Sequence, residues 1–165
     1  MDNLPRIYCD MDGVLCDFTK AAEKLSGIPI NKWVYSTKEE KWDRIKAQPN
    51  FWHTLPWTID GHLLWNFINK YNSHILSAYV EENYDPNCIA GKSHWARTNL
   101  GIGNNRINLV KRIQKQNFAK VAGQPAILID DYIKNVSQFK ANGGIGILHI
   151  SASNTINQLK KLGFK

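Results

Sequence analysis

Short apolar runs rich in β-formers alternate along this chain with stretches of helical periodicity, the pattern of a parallel sheet whose strands are joined by crossover helices. The first run, Arg6 to Cys9, stops abruptly at Asp10-Met11-Asp12-Gly13, and Thr19 to Ser26 reads as a helix with Asp17 as its cap. Ile59, Leu63, Leu64, Phe67 and Ile68 recur at helical spacing after Thr58 and lead to a short strand, His74 to Leu76, that ends at Ser77. A further helix is predicted from about Asn87 to Leu100, terminated by Gly101 and Gly103, and a strand over Ile107 to Val110. The clearest run, Ala126 to Ile129, stops at the pair Asp130-Asp131. A helix near Lys134 to Ala141, a strand over Ile145 to Leu148 and a closing helix from Thr155 to Leu162 complete the chain. No internal repeat or low-complexity tract interrupts it.

Between Gly27 and about Trp57 the periodicity loosens. Pro29, Pro49 and Pro56 break it, Trp33, Trp42 and Trp52 accumulate, and only Lys38 to Ala47 reads as helix. Residues 27–57 therefore read as a small, mainly helical cap inserted into a domain that otherwise spans 1–165. The length of 165 residues allows one domain with a packed core, and any second module must be an insertion of this kind.

Composition narrows the picture further. There is no run of 18 apolar residues and no basic leader followed by an apolar stretch, which predicts a soluble, cytoplasmic protein without a membrane partner. Cys9, Cys16 and Cys88 are odd in number and lack CxxC spacing, so reduced thiols are expected. The net charge of +7 is spread along the chain and densest at Lys111, Arg112, Lys115 and Lys120. It suits anionic ligands, but no RNP, zinc-finger or helix-turn-helix signature accompanies it, so nucleic acid is not expected as the main partner.

Three apolar runs end in potentially reactive residues: Asp10 with Asp12, Ser77, and Asp130 with Asp131. In an open parallel α/β sheet the ligand sits outside the carboxyl ends of the strands, so these residues should converge. Four carboxylates brought together repel, and such a cluster persists when a cation or protonation relieves it. Oxygen ligands of this kind suit Mg²⁺. The five His have no metal-ligand spacing, which disfavours zinc, and Val14 at the fifth loop position excludes an EF-hand. Gly143-Gly144-Ile145-Gly146 reads as a turn into a strand.

The segment Asp10-Met11-Asp12-Gly13-Val14-Leu15-Cys16-Asp17-Phe18 resembles the first motif of the haloacid dehalogenase (HAD) superfamily of phosphatases. Ser77 resembles the second motif, Lys120 suits the lysine of the third, and Ile129-Asp130-Asp131 suits the fourth, in the family's order. With Trp33-Val34 in the insertion and a Lys ten positions before Asp130, the pattern is similar to the 5'(3')-deoxyribonucleotidases. Ala78 departs from that pattern, because a Ser-Pro pair is common there. The insertion looks shorter than that family's cap, and Lys46 falls near an expected aromatic.

This resemblance implies an α/β, Rossmann-like HAD fold with a cap after the first strand, and a Mg²⁺-dependent phosphomonoesterase. Asp10 would be the nucleophile and Asp12 the general acid and base. Mg²⁺ would be held by Asp10, the Asp12 carbonyl and Asp131, with Asp130 supporting from behind. Ser77, Lys120 and Gly13 would bind phosphate, while Phe18, Trp33 and Val34 would contact a nucleoside monophosphate. Other readings of the residues stay open. Lys92, in Gly91-Lys92-Ser93, competes with Lys120 for the third motif, and Lys120 itself can be a solvated surface lysine. Ser77 can be a strand-end cap, and Phe18, Trp33 and Trp52 can be core. The substrate can be another small phosphometabolite or a nucleic-acid 3'-phosphate, and a non-catalytic basic binding protein is the remaining alternative.

Overall fold

The computed structural model describes the backbone of residues 3–35 and 37–165, and the side chains of all of these except 34, 35, 38 and 39. Its centre is a five-stranded sheet built from β1 (Ile7–Cys9), β2 (His74–Ala78), β3 (Ile107–Val110), β6 (Ile127–Asp130) and β7 (Ile145–Leu148). The spatial order is β3-β2-β1-β6-β7, and each neighbouring pair is parallel. Chain order runs outward from β1 to one side and then returns to the other. The carboxyl end of β1 is therefore the switch point of the sheet, flanked by those of β2 and β6.

Both faces of the sheet are covered, which explains why its strands read as near-continuous apolar runs rather than alternating ones. Ile7, Cys9, Ile75, Ile127, Ile129 and Ile147 belong to the larger core cluster. Tyr8, Leu76 and Leu128 alternate with them and pack with Ala119, Ala126 and Phe139 in a second cluster. The helices are α1 (Phe18–Ser26), α2 (Lys38–Lys46), α3 (Gly61–Ile68), α4 (Cys88–Leu100), α5 (Ile133–Ala141) and α6 (Ala152–Lys161). Asp17 caps α1 as its sequence position implied, accepting from Lys20 N at 2.9 Å. Gly101 closes α4 in the left-handed region. The closing helix starts earlier than its apolar spacing indicated, because the Ser151 hydroxyl accepts from Asn154 N and fixes the first turn.

Residues 27–57 contain a 3₁₀ segment at Ile30–Tyr35, then α2, then a 3₁₀ turn at Trp52–Thr54. A capping box at Thr37 and Glu40 starts α2. The segment is tied to the sheet domain through aromatic packing: Trp52 is buried, stacks on Phe18 at 5.5 Å and donates its Nε1–H to Asp85 at 2.6 Å. Gly91 makes the docking possible, since a Cβ there would collide with the Trp52 side chain.

Two elements were not legible beforehand. Arg112–Phe118 forms a run of 3₁₀ turns, and β4 (Lys120–Val121) pairs antiparallel with β5 (Gln124–Pro125) in a small hairpin. Cys9, Cys16 and Cys88 are free and buried, as expected. Among the described residues no helix is long and apolar enough to cross a membrane.

The core predicts a sharp contrast in mutational cost. Ile129→Ala, at a fully buried position, should lower unfolding free energy by about 2–5 kcal/mol, whereas Ile59→Ala, at a fully exposed one, should change it by no more than about 0.5 kcal/mol. Urea denaturation followed by Trp fluorescence reads both.

Candidate active site

At the switch point the backbone leaves β1 and turns sharply. Gly13 takes φ of 81°, and a Cβ there would run into the Asp131 carboxylate. Only glycine lets the loop after β1 lie directly against the loop after β6. The same loop holds Asp10 and Asp12 over the ends of the strands, and Ser77 arrives from β2. Together with Phe18, Ala78, Arg112, Lys115, Asp130, Asp131, Tyr132 and Asn135 they line a cavity of about 350 Å³.

Asp10 is nearly buried and held on one side. Its Oδ1 accepts from Met11 N at 2.8 Å and lies 3.1 Å from the Lys115 ammonium. Among the described residues its Oδ2 has no hydrogen-bond or ion-pair partner, so one oxygen is left for the cavity that Asp10 lines. Asp12 is held differently: its Oδ2 lies 2.7 Å from Lys92 Nζ, while its Oδ1 is buried without a hydrogen-bond partner. A buried oxygen without a donor is costly, and an arriving hydroxyl or water relieves that cost.

Two buried lysines neutralise the cluster. Lys92, on α4, donates to Asp12, to Ser77 Oγ at 3.0 Å and to Ala78 O at 2.7 Å, with its ammonium 5.3 Å from the Trp52 ring centroid. Lys115 joins Asp10 to Asp130, with Nζ 2.7 Å from Asp130 Oδ2. Burial by itself lowers the pKa of each ammonium. Asp12, Cys88 and Asp10 outweigh it at Lys92, and Asp10 and Asp130 do so at Lys115, so both stay charged with raised values.

The acidic residues divide by environment. Asp130 is fully buried and saturated, with Oδ2 accepting from Lys115 and Asn135 and Oδ1 from Tyr132 N, so it supports the site from behind. Asp131 has no ion pair among the described residues, and burial, then Asp10 and Asp130, push its carboxyl up to about 6 against a smaller opposing effect of Lys115. Carboxylate oxygens of Asp10, Asp130 and Asp131 all lie within 4.8 Å of one another. A hard divalent cation fits this donor set, with Asp131 uncompensated and Asp10 Oδ2 free to take it.

Several residues singled out in the sequence sit elsewhere. Lys120 lies exposed in β4, packed near Gly143 in the hairpin, and is not brought to the cavity. The short turns of Arg112–Phe118 carry Lys115 inward instead, and Lys92 takes the place beside Ser77. Trp33 lines a separate cavity of about 390 Å³ between α1 and α2, with Ser26 and Arg44. The side chain of Val34 lies outside the described residues. Phe18 does reach the cavity wall while stacking on Trp52, so it is both rim and core. Arg112, Tyr132 and Asn135 were not anticipated as lining residues. A polar stretch such as Arg112–Phe118 reads as solvated surface, and its 3₁₀ course leaves no 3.6-residue signal by which Lys115 stands out.

No family model and no curated protein matches the chain. Solved structures do. A hydrolase from Streptococcus pneumoniae TIGR4 superposes with a TM-score of 0.56 at 11% identity, covering 95% of this chain and 98% of that one. L-2-haloacid dehalogenase from Xanthobacter autotrophicus gives 0.51 at 12%, covering 98% and 84%. A phosphonoacetaldehyde hydrolase-like protein from Oleispira antarctica gives 0.51 at 12%, covering 96% and 81%. The chain shares the fold of these proteins. In this fold the Asp10 loop, Ser77 and the Asp130-Asp131 pair occupy adjacent strand ends, as the parallel topology required.

Two measurements probe the cluster. Lys115→Met leaves Asp10 and Asp130 uncompensated and should cost about 3–5 kcal/mol of stability, against no more than about 0.5 kcal/mol for Lys120→Met. Equal costs in chemical denaturation would contradict the placement. Because a cation competes with the proton on Asp131, Mg²⁺ affinity should fall up to about tenfold per pH unit below pH 6 and flatten above pH 7. Calorimetric titration at pH 5, 6 and 7 tests this, and a flat profile would remove Asp131 from the cation site.

Proposed function

We propose that this protein is a Mg²⁺-dependent phosphomonoesterase that works through an aspartyl-phosphate on Asp10, with nucleoside monophosphates as its substrates. The observation that carries the reading is the state of Asp10: one oxygen pinned by Met11 N and Lys115, the other free and facing a cavity lined by Asp131. Residues 27–57 are assigned as the cap. They act on the site through Trp52, which backs Lys92 and Phe18, rather than by lining it.

The reaction has two steps. The free Asp10 oxygen attacks phosphorus, the bond from phosphorus to the leaving oxygen breaks, and Asp12 delivers a proton to that oxygen. Asp12 then removes a proton from water, whose oxygen attacks phosphorus and frees Asp10 and inorganic phosphate. Lys92 holds Asp12 in place throughout. Because Ser77 Oγ accepts from Lys92, its own hydrogen is directed toward a phosphoryl oxygen. A Mg²⁺ ion held by Asp10, Asp131 and the Asp12 carbonyl would offset the repulsion between nucleophile and phosphate.

Phe18 on the cavity wall, and the likeness of the Asp10–Phe18 segment to the deoxyribonucleotidases, support a nucleoside as the leaving group. Phosphate release should be highest for deoxynucleoside monophosphates within a panel of nucleotides, sugar phosphates and 3'-phosphorylated oligonucleotides, and should vanish with EDTA. A panel led by sugar phosphates would move the assignment to a metabolite phosphatase. Asp10→Asn should abolish turnover with the fold retained, and Asp12→Asn should cost about 10²- to 10⁴-fold in kcat. Steady-state release from purified Asp10→Asn would refute the mechanism.

A further inference from the structure

Arg112 stands at the rim of the cavity with a charge that nothing in the described residues balances. Its Nη1 donates to Asn135 Oδ1 at 3.1 Å and to Gln138 Oε1 at 3.0 Å, both neutral amides on α5. Among the described residues no carboxylate lies within ion-pairing distance, and its Nε and Nη2 hydrogens have no acceptor. Arg112 is half-buried and lines the same cavity as Asp10 and Asp12. Two amide contacts hold its plane, and a pre-oriented fork with free donors is suited to an oxyanion.

Asn135 links it to the acidic cluster, giving its Nδ2–H to Asp130 at 3.1 Å and its oxygen to Arg112. Gln138, nearly a turn further along α5, holds the same guanidinium nitrogen a second time. Among the described residues Lys92 pairs with Asp12, and Lys115 with Asp10 and Asp130, whereas Arg112 pairs with no carboxylate. With Ser77 and a cation assigned to the phosphate attacked by Asp10, the Arg112 fork is left for another anion.

We infer that Arg112 is a specificity residue that receives a second phosphate-type anion of the substrate, so that substrates bearing a phosphate monoester or diester beyond the phosphate removed bind in preference to simple monophosphates. The inference rests on the phosphatase reading for what the inner site holds, but binding tests it without turnover. Dissociation constants are measured by calorimetry with Mg²⁺ on Asp10→Asn protein, with Arg112 intact or replaced. The probes are a deoxynucleoside 5'-monophosphate, its 3',5'-bisphosphate, and a 3'-phosphorylated dinucleotide whose second anion is a diester.

With Arg112 intact, the bisphosphate or the dinucleotide should bind roughly tenfold more tightly than the monophosphate. Whichever of the two gains more identifies the second anion as monoester or diester. Arg112→Gln should reduce the preference to within about twofold, and Arg112→Lys, which keeps charge without the fork, should restore part of it. Thermal melting confirms that the replaced proteins are folded. Equal affinities with Arg112 intact, or a preference that survives Arg112→Gln, would overturn the inference. Turnover of an aryl phosphate by the wild-type protein is scored separately: no release alongside an Arg112-dependent preference would reject the phosphatase and keep the anion site.

Discussion

The structure depends on a single electrostatic constraint, the gathering of four carboxylates at the carboxyl end of a parallel sheet. Asp10, Asp12, Asp130 and Asp131 are placed together by parallel topology, and their repulsion would disperse them without compensation. Two lysines drawn in from α4 and from the 3₁₀ run after β3 supply it, each nearly inaccessible to solvent. Taking an ammonium out of water costs several kcal/mol, and the carboxylates must repay it. Lys92 and Lys115 are consequently fixed in position by the groups they neutralise, and the polar arrangement is set before any ligand enters.

Compensation is unequal across the cluster, and the inequality gives the site its character. Asp130 is saturated by Lys115, Asn135 and a backbone amide, so it acts as an anchor. Among the described residues Asp131 has no ion pair, Asp10 keeps one oxygen free, and Asp12 keeps one buried oxygen unmatched. The unmet capacity points into one cavity, where a cation and an oxyanion together would satisfy it. Residues 27–57 contribute from behind. Asp85 orients the Trp52 indole, and the indole face lies under the ammonium that holds Asp12.

The strands, the helix caps and the carboxylate pairs were legible because each is a local signal. A buried parallel strand must be continuously apolar, a chain leaving it into a site must turn polar abruptly, and Asp17 or Gly101 mark helix ends by their own backbone chemistry. The sequence by itself therefore determined the α/β class, the strand ends that carry Asp10, Ser77 and Asp130-Asp131, and, to within one residue at its end, the helix that starts at Lys38. Which lysine reaches the carboxylates was decided only by the tertiary structure. Lys92, Lys115 and Lys120 are alike in local context, and distance to a charge fixed by other strands is a non-local property. The same holds for Trp33 and Trp52, two tryptophans of one insertion: docking against Gly91 brings Trp52 beneath the site, while the packing of α1 and α2 turns Trp33 into a cavity of its own.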